Sequence, residues 1–104
     1  MRYISTRQDP QSGAADLGTF SDVLLLGLAP DGGLAMPECV PTFSPAELEA
    51  LRALPYADLA YAVMRPFISD IPEADLRALL RATYTADTFG SADITPLTPL
   101  GASG

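Results

Sequence analysis

Residues 27–37 read Gly27-Leu28-Ala29-Pro30-Asp31-Gly32-Gly33-Leu34-Ala35-Met36-Pro37, and the order of residue types in this stretch decides the fold. Upstream, Phe20, Leu24 and Leu28 recur at helical spacing, with Val23 and Leu25 widening the apolar stripe. Thr19, with Asp22 three residues on, is a Thr-x-x-Asp variant of the capping box and starts that helix. Pro30-Asp31-Gly32-Gly33 stops it near Ala29, because Pro30 presets its own backbone angle and glycine adopts positive φ without a Cβ clash. Residues 34–36 then read as a short strand ended by Pro37. Glycine loops that cradle phosphate run the other way, from strand to helix, so that amides at the helix start face the anion. The stretch is therefore predicted to be a helix-to-strand turn.

Working outward, residues 2–6 (RYIST) are aromatic, β-branched and hydroxyl-bearing, which predicts a second short strand. The two strands are candidates to pair, in a direction the sequence does not set. Residues 8–18, with Pro10, Gly13 and Gly18, predict a mobile loop. The second half is helical. Ser44-Pro45-Ala46-Glu47 combines a Ser cap, Pro at the first helical position and Glu at the third. Pro55 separates that helix from one beginning near Tyr56, which should kink or end at Pro66. Asp70-Ile71-Pro72-Glu73 opens a last helix running to Tyr84. The predicted fold is mostly α with a minor two-strand β element (α+β). Its expected core comprises Phe20, Leu24, Leu28, Leu48, Leu51 and Leu59, followed by Val63, Phe67, Leu76, Leu79, Leu80 and Tyr84. The run 23–28 is apolar almost all round its helix, which calls for burial on more than one side. A small domain supplies one side, so Leu25 or Leu26 is expected to stand exposed. Beyond Phe89 the composition shifts to Gly, Ser, Thr and Pro; residues 1–89 read as a domain and 90–104 as a linker.

Composition narrows the function. With 104 residues and 48% hydrophobic content, the chain has room for one modest core. Thirteen carboxylates against six cations give a net charge of -7, which disfavours nucleic acid and anionic membranes as partners. The longest apolar run is too short to span a bilayer, and no charged-then-apolar leader opens the chain; the expected location is the cytoplasm. The cations are Arg2, Arg7, Arg52, Arg65, Arg77 and Arg81, so there is no lysine, and there is no histidine either. Without them the chain offers no amine for covalent carbonyl chemistry, no Ser-His-Asp arrangement and no imidazole metal ligand. The carboxylates show no spacing that selects an acid–base pair, and cap or surface roles suit them better. Cys39 stands alone, has no neighbouring cation to activate it, and is expected to be a small buried apolar residue. Tyr56, Tyr61 and Tyr84 are expected in packing roles. Arg7 lies just past a strand, where it is either an ordinary surface residue or a bidentate binder of carboxylate or phosphate.

Taken in order, M-x-Y-x-S-T-R at residues 1–7, a short helix and G-L-A-x-D-G-G-L at 27–34 resemble the start of the threonine synthases. The S-x-x-E-L helix, the Y-A-D-L-A segment, Pro66-Phe67 and the I-P-x-x-D-L helix follow in the same layout, so the resemblance covers residues 1–100. This chain departs from the family pattern at Ala35-Met36, at Gln8 after Arg7, and in an expanded 8–18 loop. The resemblance implies the amino-terminal domain of a larger α/β enzyme that uses pyridoxal phosphate to convert O-phosphohomoserine and water to threonine and phosphate. The cofactor lysine and phosphate loop of such enzymes lie beyond this domain, so no catalytic, cofactor-binding or metal residue carries over. The implied partner is the remainder of the polypeptide, with Ser5, Thr6, Arg7 and the Asp31-Gly32-Gly33 turn on the side facing the catalytic core. Relatives with this front domain also include phospholyases of related phosphorylated compounds. The reading from another class is a free-standing helical interaction module. A tail that ends in mid-linker after residues 94–100 (ITPLTPL) favours the fragment of an enzyme.

Overall fold

The computed structural model describes residues 1–7 and 16–101, so most of the 8–18 loop expectation lies outside the described residues. Strand β1 (Tyr3–Ser5) leads to helix α1 (Phe20–Leu26) and returns in strand β2 (Ala35–Pro37). Four helices follow: α2 (Pro45–Leu51), α3 (Tyr56–Met64), α4 (Glu73–Thr83) and α5 (Ala86–Phe89). The strands form a two-stranded antiparallel sheet with Tyr3 opposite Pro37, Ile4 opposite Met36 and Ser5 opposite Ala35. The mostly helical α+β expectation holds, and the open question of strand direction is answered.

Alternation along β1 points Tyr3 and Ser5 into the protein and leaves Ile4 half-buried. Gly18 bridges to Tyr3 on the edge away from β2, so the end of the 8–18 segment is tied to the sheet rather than loose. The Tyr3 hydroxyl donates to the Phe67 carbonyl at 2.6 Å, joining the sheet to the helical half. Burial and then the nearby Asp70 carboxylate push the Tyr3 hydroxyl above its ordinary pKa.

The main core lies between α3 and α4, where Ala60, Ile68, Leu76 and Leu80 are buried. Half-buried Phe20, Tyr56, Tyr61, Met64, Phe67, Ile71 and Tyr84 surround them. Helix starts follow the sequence signals closely, but α1 ends at Leu26, three residues before the expected stop near Ala29, because Gly27 takes φ +81 at its C-cap and leaves Leu28 outside the helix. Ser44 Oγ accepts from the Glu47 amide at 3.1 Å while Glu47 Oε2 accepts from the Ser44 amide at 2.7 Å. Pro55 precedes α3, which ends at Met64 just before Pro66. At α1, Asp22 Oδ2 accepts from the Thr19 amide at 3.0 Å.

Several sequence expectations are corrected. Leu24, Leu28, Leu48, Val63 and Leu79 are exposed rather than in the core. On α4 the residue turn of about 100° places Leu76 and Leu80 on the inner face and swings Leu79 to its flank, where it is 56% exposed. On α1 only Val23 is buried, and α2 buries no residue at all. The apolar stripes exist, but the described residues do not cover them. Tyr3, Ala29, Ala60, Ile68 and Ile94 occupy core positions instead. Asp70 does not cap α4, where Pro72 holds the cap position. Its Oδ2 accepts from Thr19 Oγ1 at 3.1 Å and from the Ser21 amide at 3.2 Å, so it caps α1 across the fold. Cys39 is exposed, because it follows the end of β2 where nothing among the described residues packs over it. The expectation for Leu25 and Leu26 is met, with Leu25 89% exposed.

Candidate functional site

Ser5, Thr6, Arg7, Asp31, Gly32 and Gly33 converge where the end of β1 meets the turn that leads into β2. Antiparallel pairing causes this: it sets Ser5 opposite Ala35 and carries residues 6–7 alongside the turn. Within the turn, the Gly32 amide donates to the Ala29 carbonyl at 2.9 Å and the Ala29 amide to the Gly33 carbonyl at 3.0 Å. Gly32 takes φ +82, the left-handed conformation that closes a three-residue loop of this kind.

Asp31 organises the cluster. Its Oδ1 accepts from Ser5 Oγ at 2.6 Å and from the Gly33 amide at 2.9 Å. Ser5 Oγ in turn accepts from the Arg7 amide at 3.2 Å. Thr6 completes the clasp: its Oγ1 accepts from the Leu34 amide at 2.9 Å, and its own amide donates to the Leu34 carbonyl at 2.9 Å. The Ser5 hydrogen bond, then the Gly33 amide and the nearby Arg7 guanidinium hold the Asp31 carboxyl below its ordinary pKa. The close fit also explains Gly33. A Cβ there would collide with Ser5 Oγ and press on the Arg7 amide and Asp31 Oδ1.

Arg7 Nη1 lies 3.4 Å from the Asp31 carbonyl oxygen, and the side chain makes no ion pair within 4.0 Å among the described residues. Its exposed guanidinium thus lies over the turn with one fork nitrogen on the Asp31 carbonyl, and its charge helps hold the Asp31 carboxyl below its ordinary pKa. The one hydroxyl–carboxylate pair in the cluster, Ser5 with Asp31, is spent on the fold: Ser5 is buried, its oxygen accepts from the Arg7 amide, and Asp31 Oδ1 is shared with the Gly33 amide. Among the described residues no group of three or more His, Cys, Asp and Glu is placed to hold a metal ion. The six residues named from sequence lie together in the fold, and Leu34, whose amide and carbonyl both engage Thr6, was not among them. A hydroxyl residue at a strand end facing a turn is the signal for such a clasp.

A larger open groove of about 540 Å³ lies elsewhere, lined by Asp58, Tyr61, Arg65, Arg77 and Arg81 among others. Its guanidinium groups are engaged by the fold. Arg77 covers the Tyr61 ring at 3.8 Å, Arg77 and Arg81 reach Asp58 at 3.9 and 3.7 Å, and Arg65 donates to the Ile68 and Ile71 carbonyls. These contacts knit α3 to α4.

A family model for the threonine synthase N terminus matches residues 2–84, which takes in both strands, the clasp and α1 to α4. The chain belongs to the threonine synthase N-terminal family. It is 46% identical over 103 residues to a threonine synthase of Methylobacillus glycogenes, covering 92% of this chain and 21% of that one. A Pseudomonas aeruginosa threonine synthase is 46% identical over 101 residues, with 96% of this chain and 20% of that one covered. For a Corynebacterium glutamicum threonine synthase the figures are 44% over 104 residues, 96% and 21%. The chain therefore spans about a fifth of the length of the curated relatives it matches. The clasp residues and the turn all fall inside the matched family region.

Proposed function

We propose that this chain is the amino-terminal accessory domain of a threonine synthase, a lyase converting O-phosphohomoserine and water to threonine and phosphate. The observation that carries this reading is the family match over residues 2–84, joined to relatives about five times as long that share 44–46% identity over the same stretch. Chemistry belongs to the portion of such an enzyme that this chain does not span. Pyridoxal phosphate does not fit the residues present here: a covalent link to its aldehyde needs a side-chain amine, and the 104 residues contain no lysine. No step of the reaction is assigned to this chain.

Its contribution is positional. The clasp locks residues 5–7 against residues 31–34, and this rigid corner faces the catalytic portion, presenting the Arg7 guanidinium toward it. No helix among the described residues is long and apolar enough to cross a membrane, and the working location is the cytoplasm. Residues 1–89 form the domain and 90–104 the connection to the core, with Ile94 packed back as an anchor. The test is complementation of a bacterium that lacks threonine synthase. This chain alone should not restore growth without threonine, whereas the chain joined to the remaining four-fifths of the Methylobacillus glycogenes enzyme should. Growth supported by the chain alone, or none with the joined protein although it accumulates in soluble form, contradicts the reading.

A further inference from the structure

Helix α1 and the residues just after it carry a set of leucines that nothing among the described residues covers. Leu24, Leu25, Leu26 and Leu28 are all exposed, and Leu34 and Met36, on the turn exit and β2, are exposed too. Leu34 and Met36 are two apart, so strand alternation sets them on one side of the chain, and Met36 pairs with Ile4 across the sheet. This is the side opposite inward-facing Tyr3, whose ring lies 6.5 Å from that of Phe20 at the start of α1, so the leucines and the Leu34–Met36 pair are separate patches. The concentration of exposed leucines at α1 marks an interaction surface.

Three candidate occupants are separated by their chemistry. The residues outside the described set, 8–15 (QDPQSGAA) and 102–104 (ASG), carry no large apolar side chain to set against the leucines. A second copy brings its own net charge of -7, and two such bodies repel at contact range. The third occupant is the remainder of a threonine synthase, about four times the length of this chain in the matched relatives. Interfaces between domains of one polypeptide commonly bury about 600–1,500 Å². The chain also leaves the domain with Leu97 and Leu100 almost fully exposed, continuing the apolar character toward that segment.

We infer that the exposed leucines at the end of α1 form the docking face for the catalytic portion of the enzyme, with Leu25 its most exposed member. The inference rests on the functional reading above and names the surface through which that reading operates. The arrangement also explains a seven-residue helix whose polar capping end is fastened by Asp22 and Asp70 while its other end is wholly apolar. The capped end fixes the helix to this domain, and the apolar end is left for the partner.

The experiment is thiol accessibility. Leu25→Cys, in a Cys39→Ser background, is compared in this chain alone and in this chain joined to the remaining four-fifths of the Methylobacillus glycogenes enzyme. Maleimide modification is followed by peptide mass spectrometry, with Glu49→Cys on α2 as an exposed control. Position 25 should react at least tenfold more slowly in the joined protein, and position 49 at the same rate in both. Equal rates at position 25 in a joined protein that still makes threonine overturn the docking face and leave the functional reading intact. Protection at position 25 without threonine formation supports the docking face while removing the functional reading. Protection in the isolated chain that grows with its concentration assigns the face to a second copy and overturns the inference. Should the joined protein fail to fold, hydrogen exchange in the intact Methylobacillus enzyme decides. Amides aligned with residues 23–28 should exchange at least tenfold more slowly there than in this chain, and equal exchange overturns the inference.

Discussion

Ser5 Oγ donates to Asp31 Oδ1 at 2.6 Å across 26 residues of sequence, and that bond closes the corner between the first strand and the turn. Because the same carboxylate oxygen also accepts from the Gly33 amide, its charged form is the one the fold prefers. The Asp16 carboxyl, held by the Gly18 amide and then by Arg2, is likewise lowered. So is Asp70, through its hydrogen bonds with Ser21 and Thr19.

These three carboxylates make the stability of the domain depend on pH at the acid end. Each has a folded pKa below its ordinary value of 3.8, so the unfolded chain binds more protons in the window between the two. Stability is therefore fully present above the unfolded value and is lost as pH falls through the lower folded values. Asp31→Asn keeps an oxygen for Ser5 and Gly33 but removes one titration. Urea midpoints measured from pH 6 to pH 2 should fall less steeply in that variant than in the parent. Identical slopes would show that Asp31 titrates normally.

Gly33→Ala should destabilise the domain by about 1–3 kcal/mol, since the added methyl overpacks a site already filled by Ser5 Oγ. Denaturant unfolding checks this. A neutral substitution would mean that the corner relaxes freely and is not the rigid element described.

Adjacent leucines on α4 should behave oppositely. Leu80→Ala, at a site buried in the main core, should cost about 2–5 kcal/mol. Leu79→Ala, at an exposed site, should stay within about 0.5 kcal/mol in the isolated chain. Comparable losses at both positions would place α4 in a different rotation.

How much of this was legible in sequence depends on the range of the interaction. Ser44, Pro45 and Glu47 act within four residues, so the α2 start could be read directly, and Pro55 and Pro66 mark helix limits by local geometry. Asp70 could not be placed, because the amide and hydroxyl it serves lie 49 and 51 residues away. Leu24 shows the second kind of limit. Periodicity says which face of α1 is apolar, not whether the same 104 residues supply something to cover it. At the candidate site, the types and order of Ser5, Thr6, Arg7 and Asp31-Gly32-Gly33 carried the family resemblance. The hydrogen bonds that clasp them became visible only once β1 and β2 were paired in register.

Asp70→Ala removes a carboxylate that accepts from the start of α1 without touching the α3–α4 core. Hydrogen exchange should quicken at the amides of α1 while those of α4 keep their protection. Uniform acceleration in both helices would indicate that α1 is not an independently fastened element.

The central claim is that this chain is one part of a threonine synthase and supplies no chemistry of its own. The direct measurement is product formation by purified proteins given O-phosphohomoserine and pyridoxal phosphate. The chain alone should yield no threonine, and the chain joined to the remaining four-fifths of the Methylobacillus glycogenes enzyme should release threonine and phosphate in equal amounts. A folded joined protein that releases neither, or turnover by the 104 residues alone, would contradict the account.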